Sequence, residues 1–439
     1  MNEINLKGQE EVKSLVKKDS KSKSIFLNKN FMLVIIGEFI SLFGTTIFVF
    51  AVGWHILSVT KSGVQMGIIL MLGIIPNILL SPFMGIIADK KNRRNIMILM
   101  NIIGGVIILL LALIIYWGVL KIWSFYITVF LISICSSVFG PAASAIIPNL
   151  VETEQLPKAN AMNQFVSSFC AIIGLVFGGL FYDSLGLILM VILNAASFFI
   201  AAFVEMFIQL KVAIVHKKEK NKHIVSRVIA DVREGIEFVK SKNTLLFLII
   251  IFSFANLILD PIIAIYIPYM FNVIIKSNSS HLAIVEGASS FGSLLGAIII
   301  PKISTKMLLR TQLLLSMLFS SIVVYGMAVV TLPVCLKSLD IFSITVIFSI
   351  LSFCNGIAFG LIGIPITVYF CKVIPDHLRG RIFGIIASSV MLAVPIGFFL
   401  GGYLVQNVSI YLLALSSGIF LTLITIIMVK SKSLRLLNN

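Results

Sequence analysis

Residues 85–94 read Gly-Ile-Ile-Ala-Asp-Lys-Lys-Asn-Arg-Arg, and they carry the chain from one long apolar run, about 64–88, into another, about 95–117. A bilayer-crossing helix needs roughly 20 apolar residues, and both runs exceed that. Backbone polar groups inside lipid must be satisfied within the segment, so both runs are predicted to be helices. Barrel strands would alternate over about ten residues, and Ile102–Tyr116 does not alternate. Ten further runs show the same character, at about 31–58, 122–148, 160–182, 186–210, 244–273, 281–301, 311–334, 340–373, 381–405 and 410–430.

The whole composition agrees. Of 439 residues 59% are hydrophobic and 12% charged, with a mean hydropathy of +1.09; soluble domains carry about 45–50% apolar and about 25% charged residues. An ordinary cytosolic enzyme, a disulfide scaffold and a disordered chain are excluded. The five cysteines, Cys135, Cys170, Cys335, Cys354 and Cys371, show neither CxxC nor Cys/His spacing. They read as small apolar packing residues, with no metal site and no disulfide framework.

The net charge is +16. On a soluble protein this would suggest nucleic acid; here the cations fill short gaps between apolar runs, which indicates membrane orientation and no nucleic-acid partner. With the N-terminus placed inside, 30 of the 34 Lys and Arg fall on the inner side, and only Lys61, Lys121, Lys276 and Lys337 on the outer. That asymmetry needs an even number of crossings. A plasma-membrane protein with both termini in the cytoplasm is expected. No short apolar segment with a small-residue cleavage site follows the polar residues 1–30, which read as a cytoplasmic tail.

The longest polar stretch, 211–243, divides the chain near its middle. Val225, Val228, Ile229, Val232, Ile236 and Val239 recur in it at helical spacing. This is an amphipathic helix lying on the membrane surface, or a helical linker packed on the ends of the spans. Gly174-Leu-Val-Phe-Gly178-Gly179 recurs as Gly397-Phe-Phe-Leu-Gly401-Gly402, which suggests duplication. The expected organisation is a six-helix bundle over 31–210, the linker, a second six-helix bundle over 244–430, and a cytoplasmic tail over 431–439.

In the opening stretch, Gly85 lets a neighbouring helix approach closely, and Asp89 stands at a helix end among four cations. An acid there can pair with a base or meet the positive N-terminus of an adjacent helix. Such a contact can be made in one conformation and broken in another. Topology alone has no use for an acid, so Gly85, Asp89, Lys90, Arg93 and Arg94 are read as a cytoplasmic gate.

These five residues are similar to the hallmark loop of the major facilitator superfamily, Gly-x-x-x-Asp-Arg/Lys-x-Gly-Arg/Lys-Arg/Lys. Asn92 stands in place of Gly, a tolerable change if the position needs left-handed geometry. The resemblance runs from about 31 to 430. The corresponding stretch of the second half keeps Gly296, Lys302 and Lys306 but has no Asp, so the gate contact is expected to be asymmetric. Two further stretches resemble the macrolide-efflux-like drug exporters of that superfamily: Phe139-Gly140-Pro141-Ala142 to Pro148 with Leu156 to Ala161, and Val373-Ile-Pro375 to Arg379-Gly380-Arg381. Proline frees carbonyls and kinks helices, and glycine lets helices slide closely. Gly140, Pro141, Gly174, Gly178, Gly179, Pro395, Gly397, Gly401 and Gly402 are therefore expected to serve packing and conformational change. Antiporters of the superfamily often carry Gly-Pro-x-x-Gly-Gly in the fifth span; here Leu175 replaces the Pro. The Arg that other proton-coupled exporters carry in the fourth span is missing, and Ser133, Ser137, Gly140 and Ser144 share a face instead.

An ionisable group inside a span costs about 3 kcal/mol on insertion scales and tends to be functional. Glu38 lies about 10 Å into the first run at a rise of about 1.5 Å per residue, with Ser41 and Thr45 continuing its face. Asp260 lies one turn beyond Asn256 in the seventh, just before Pro261. The resemblance implies that the first, fourth, seventh and tenth spans line a central cavity. Glu38, Ser41, Thr45, Asn256 and Asp260 are thus candidates for binding a cationic substrate or the coupling proton. Glu205 reads as structural, and His55, beside Trp54, as an interfacial anchor.

The sequence therefore predicts an all-α membrane protein of twelve transmembrane helices in two six-helix halves, with the major facilitator fold. The expected activity is export of an amphiphilic drug or metabolite by alternating access about a site near the bilayer midplane, driven by proton exchange. A monomer is favoured. No Gly-rich Lys-Ser/Thr phosphate loop occurs, so no ATP and no cofactor are expected. The alternatives are a facilitator or symporter importing a nutrient or siderophore, and a membrane-embedded enzyme. The latter would need clustered His, Asp or Cys at one depth, and His55, His216, His223, His281 and His377 are scattered.

Overall fold

The computed structural model describes residues 28–90, 92–209, 224–304, 307–375, 379–431 and 434; the side chains of 81–90, 224–232, 298–304, 364, 365, 368 and 379–381 are outside that description. Among the described residues there is no β-strand, and ten helical segments are long and apolar enough to cross a bilayer. The helices are α1 (Lys29–Thr60), α2 (Gly63–Lys90), α3 (Arg93–Tyr116), α4 (Ile122–Ile146), α5 (Leu156–Glu205), α6 (Ile224–Ser241), α7 (Asn243–Pro261), α8 (Ser279–Ser304), α9 (Leu309–Val330), α10 (Pro333–Ser338), α11 (Ile341–Val373), α12 (Arg379–Met391), α13 (Ala393–Asn407) and α14 (Ile410–Lys430).

Polar residues start them. Asn28 caps α1 by accepting from Phe31 N at 3.1 Å, and Ser409 caps α14. Asp340 caps α11 and also accepts from the Ser343 hydroxyl at 2.6 Å; these bonds hold its exposed carboxyl below the usual carboxylate range. Each cap satisfies an orphan N–H of the first turn. Asn92 caps α3 in extended geometry, φ −64°. Its place in the opening motif is therefore that of a helix cap, which needs a side-chain acceptor and no left-handed backbone.

The fifth and sixth apolar runs, expected as separate helices, are the two helical arms of α5, which meet without an intervening loop at Gly186 with φ +69°. A left-handed residue there suits glycine. Added Cβ atoms locate the neighbours. Those on Gly174 and Gly178 would meet Thr46 and Phe50 of α1, whereas those on Gly44 and Gly37 would meet Ser197 and Glu205. The first arm of α5 thus runs along α1 in its own direction and the second arm runs back. The chain reverses at Gly186.

Prolines shape two other helices. The helix continues through Pro141 to Ile146. After Pro261 the backbone passes into a π-helical stretch, Ile262–Tyr266, and after Ile267–Tyr269 into a second, Met270–Ile274. Between α12 and α13 the helix breaks at Leu392, four residues after Ser388 and just before Pro395, which lacks the N–H that would bond back to Met391.

The linker helix α6 takes the second of the two forms left open by its sequence. A Cβ on Gly235 would collide with Ile385 of α12, and Val239 is buried in the same apolar core as Leu245 and Ile382. Its far face is solvated, with Arg233 pairing with Glu237 one turn on at 3.0 Å.

The start of α1 packs beside the ends of α4 and α5: Asn28 Nδ2 donates to Leu150 O, and Asn30 Nδ2 donates to Gln209 O at 2.9 Å. At this proximal end Arg310 also bonds Val429 O at 3.0 Å. The opposite, distal end carries the short connections at 61–62, 183–186 and 275–278.

Candidate functional site

Four helices, α1, α3, α4 and α5, enclose the first set of predicted residues. A cavity of about 350 Å³ is lined by Glu38, Ser41 and Thr45 of α1, Ser136 and Gly140 of α4, and Asn101 of α3, among others. Glu38, Ser41 and Thr45 face it at i, i+3 and i+7, as their spacing requires. Ser41 donates to its own helix at Gly37 O, 3.1 Å, and Thr45 donates to Ser41 O at 2.8 Å. Each hydroxyl proton is thereby committed, and the oxygens turn only acceptor lone pairs to the cavity. With its amide nitrogen turned toward the acid, Asn163 of α5 donates to Glu38 Oε1 at 3.0 Å and Oε2 at 2.7 Å. No cation pairs with Glu38 among the described residues.

Gly140 has nothing within 4 Å of the position a Cβ would take. It widens the cavity and does not close on a neighbouring helix. Of the α4 face read from the sequence only Gly140 reaches this space; Ser133 bonds across to Gly73 O of α2 at 2.6 Å, Ser137 is buried on Ile134 O, and Ser144 is exposed.

Beneath the cavity lies a second acid. Glu205 is fully buried, against Gly37, and accepts from Asn101 Nδ2 at 2.9 Å, while its Oε2 has no partner among the described residues. The sequence reading of a structural carboxyl accounts for the bond to Asn101 but not for the open oxygen. Replacing Asn101 by Leu strands the remaining oxygen as well, a loss of about 1–3 kcal/mol. The expected result is a lower unfolding temperature in detergent for Asn101→Leu and recovery in Asn101→Leu/Glu205→Met, where both polar partners are gone. A double variant as unstable as the single one would show that the pair does not act as a unit.

Arg93 and Arg94 have definite partners. Arg93 donates to Ala145 O at 2.6 Å, and Arg94 donates to Glu205 O at 3.3 Å and to Met206 O. Both guanidinium groups meet carbonyls at the C-terminal ends of α4 and α5, where cations are favoured. The side chains of Asp89 and Lys90, and any contact at Gly85, lie outside the described residues.

Asn256 and Asp260 separate. Asn256 lines a second, largely apolar cavity of about 250 Å³ with Phe252, Phe359 and Phe370. Asp260 does not line it; the neighbouring Pro261 packs on α13 beneath Gly397 and Gly401.

The repeated glycine motif proves to be a matched pair of contacts. Gly174 and Gly178 seat the first arm of α5 on α1, and Gly179 meets Ala283 and Ser279 of α8. Gly397 and Gly401 seat α13 on α7, and Gly402 meets Gly63 of α2. In each motif two glycines bind the first helix of their own half of the chain, and the third meets the second helix of the other. Hydrogen bonds cross the same seam at the distal end: Asn272 Nδ2 to Trp54 O at 3.1 Å, Ser279 N to Asp183 Oδ2 at 2.9 Å, and Gln406 Nε2 to Ser62 Oγ at 2.6 Å. Trp54 is only 5% exposed, and His55 bonds the Tyr182 hydroxyl at 3.0 Å. These two residues serve the protein interior and do not anchor it at the interface.

Sequence inspection passed over Asn163, Asn101 and Glu286. Asn163 and Asn101 are uncharged and stand out only when the fold sets them against carboxyl groups. Glu286 carries the same signal as Glu38, an acid inside an apolar run.

Comparison with known proteins agrees with this architecture. The chain is 23% identical over 394 residues to macrolide efflux protein A of Streptococcus pyogenes, covering 89% of this chain and 93% of that protein. It is 24% identical over 402 residues to the multidrug efflux pump Tap of Mycolicibacterium fortuitum, with 89% and 93% covered. The fold matches a crystal structure of the nucleoside transporter NupG with a TM-score of 0.69 at 14% identity, covering 92% of this chain and 100% of that one. Residues 34–343 match the family model of the Major Facilitator Superfamily. The chain is a multi-pass membrane protein, a transporter and not an enzyme, and it belongs to the Major Facilitator Superfamily.

Proposed function

We propose that this transporter exports amphiphilic small molecules, macrolide-like or cationic, by alternating access coupled to proton entry. The observation that carries the reading is the cavity of about 350 Å³ in which Glu38 faces apolar and hydroxyl-bearing walls with no cationic partner among the described residues. Pockets for drug-sized ligands are mostly apolar with a few placed polar groups. A carboxyl group of this kind can hold either a proton or a cationic substrate, which is the minimum an antiporter needs. The efflux relatives favour export.

In this reading the chain crosses the plasma membrane twelve times as a monomer: ten apolar segments, one of which reverses at Gly186 and counts twice, and α8 with its 26 residues. Both termini and the linker helix lie in the cytoplasm, on the side holding 30 of 34 cations. Two six-helix halves, 31–210 and 244–430, rock about the glycine seam.

The test uses everted vesicles containing the protein, an imposed pH gradient, and a panel of macrolides and lipophilic cations. Accumulation of at least one panel member, abolished by a protonophore, is expected. Uptake of a polar solute by cells, with no accumulation of any panel member in vesicles, would overturn export in favour of import.

A further inference from the structure

A separate acid stands at the seam itself. Glu286 of α8 lines a cavity of about 240 Å³ together with Phe50, Trp54, Met66 and Pro268. The cavity walls come from α1, α2, α5, the stretch 262–269 that follows α7, and α8, so both halves of the chain contribute. Its Oε2 is closed off from solvent and has no hydrogen-bond partner among the described residues. Buried polar groups nearly always have partners, and one without calls for a ligand, a water or an ion. The surrounding wall is largely apolar: besides Glu286, the side chains there that bear polar groups are Ser289, Ser290 and Trp54, through its indole N–H.

Three further features point to what would fill it. Phe50 and Trp54 lie nearly parallel with ring centroids 6.4 Å apart and planes at 7°, and an aromatic pair lining the same cavity as an acid is a setting in which an organic cation can be held by both charge and ring face. Ile263, Ser289 and Ser290 also line a larger cavity of about 400 Å³ between α5, the π-helical stretch after α7, α8 and α11, so the two spaces adjoin. The wall after α7 includes Ile263 and Ala264 of the first π-helical stretch, and such stretches concentrate at functional sites. Ser279, which bonds Asp183 across the distal seam, lies two turns from Glu286 on the same helix.

We infer that the Glu286 cavity is a second binding site, distinct from the one at Glu38, which takes a compact monovalent organic ammonium ion or the ammonium head of a larger amphiphile. The Glu286 carboxylate pairs with the charge, and Phe50 and Trp54 cover the apolar substituents. The inference rests on the transport reading for its role, but the site stands on its own geometry.

Tetraethylammonium is the probe, because a quaternary cation can donate no hydrogen bond and so reports charge pairing and aromatic contact without hydrogen bonding. With the full-length protein in lipid nanodiscs, radiolabelled tetraethylammonium is expected to bind saturably. Glu286→Gln should weaken binding about tenfold or more, the loss of a charged contact, and Glu38→Gln should leave it within about twofold. Independently of any change at Glu286, a Ser290→Cys variant should be protected by tetraethylammonium from alkylation by a small maleimide. No saturable binding to wild type, or unchanged binding to a monodisperse Glu286→Gln protein, overturns the inference. If Glu286→Gln does not fold, absence of protection at Ser290→Cys overturns it and protection upholds it. Failure of the vesicle assay with intact, Glu286-dependent binding would remove the export reading and leave the site.

Discussion

Glu38→Gln is expected to reduce gradient-driven transport to the level of empty vesicles while the protein still folds. The substitution is nearly isosteric. Gln can keep one of the two Asn163 contacts, which lie at 3.0 and 2.7 Å in the wild type, by accepting with its single carbonyl oxygen, and its similar volume preserves the packing of α1 against α5. What is lost is the capacity to bind and release a proton, and a cation, inside the cavity. An ionisable group at this depth is costly to maintain, and the structure provides Glu38 with the Asn163 amide but no cationic side chain among the described residues to offset it. The measurement separates two functions. Proton-driven accumulation should vanish. Exchange of labelled for unlabelled neutral substrate, which needs no net proton movement, should persist. Full gradient-driven activity in Glu38→Gln would remove Glu38 from the coupling mechanism, and loss of both activities with intact folding would make it a substrate-binding residue first.

Gly402→Leu is the second large effect. In the structure the two halves of the chain meet at the distal end, and a Cβ on Gly402 would strike the backbone carbonyl of Gly63 and come within 3.1 Å of Val64 Cα. The obstacle is main chain, so it cannot swing aside as a side-chain tip can. Overpacking of this kind costs about 1–3 kcal/mol or more, which against a conformational equilibrium is about a 5- to 150-fold shift. The penalty applies only where α2 and α13 touch. The variant is therefore expected to favour the state in which the distal seam is open and to transport at a small fraction of the wild-type rate. The direct readout is a cysteine at Ser62, whose hydroxyl accepts from Gln406 at 2.6 Å in the closed seam: it should react faster with a membrane-impermeant maleimide in Gly402→Leu than in the parent. Equal labelling rates would show that this contact does not control opening. Gly401→Ala is a useful contrast, because its Cβ would meet the ring of Pro261 within its own half and should cost stability without exposing Ser62.

Much of this was readable from the chain. Runs such as 95–117 and 410–430 can satisfy their backbone only as helices, and α3 and α14 are found within a few residues of those bounds. Glu38, Ser41 and Thr45 share a face by helical periodicity alone. The recurrence of Gly174, Gly178 and Gly179 as Gly397, Gly401 and Gly402 reported two equivalent contacts before either was seen. Less was readable where a residue's role depends on a distant partner. Asn101 and Glu205 lie 104 positions apart, and no local pattern joins them. Gly140 followed the rule that glycine permits close approach and broke it, because whether the missing side chain is filled by a neighbour or by empty space depends on where the helix sits. The break between the runs ending at 182 and starting at 186 was readable, but not that one left-handed residue, Gly186, would turn the chain back along α1 without leaving the helical stretch.

Hydropathy and charge placement, which are sums over many residues, determined by themselves that this is a helical membrane protein; the superfamily became legible only through the resemblance of the loop at Gly85 to Arg94. Only the tertiary structure decided which acids face a cavity, which asparagines hold them, and that Glu286 lies at the seam between the halves. Those are relations between side chains far apart in the chain, and a one-dimensional pattern carries no distance between them.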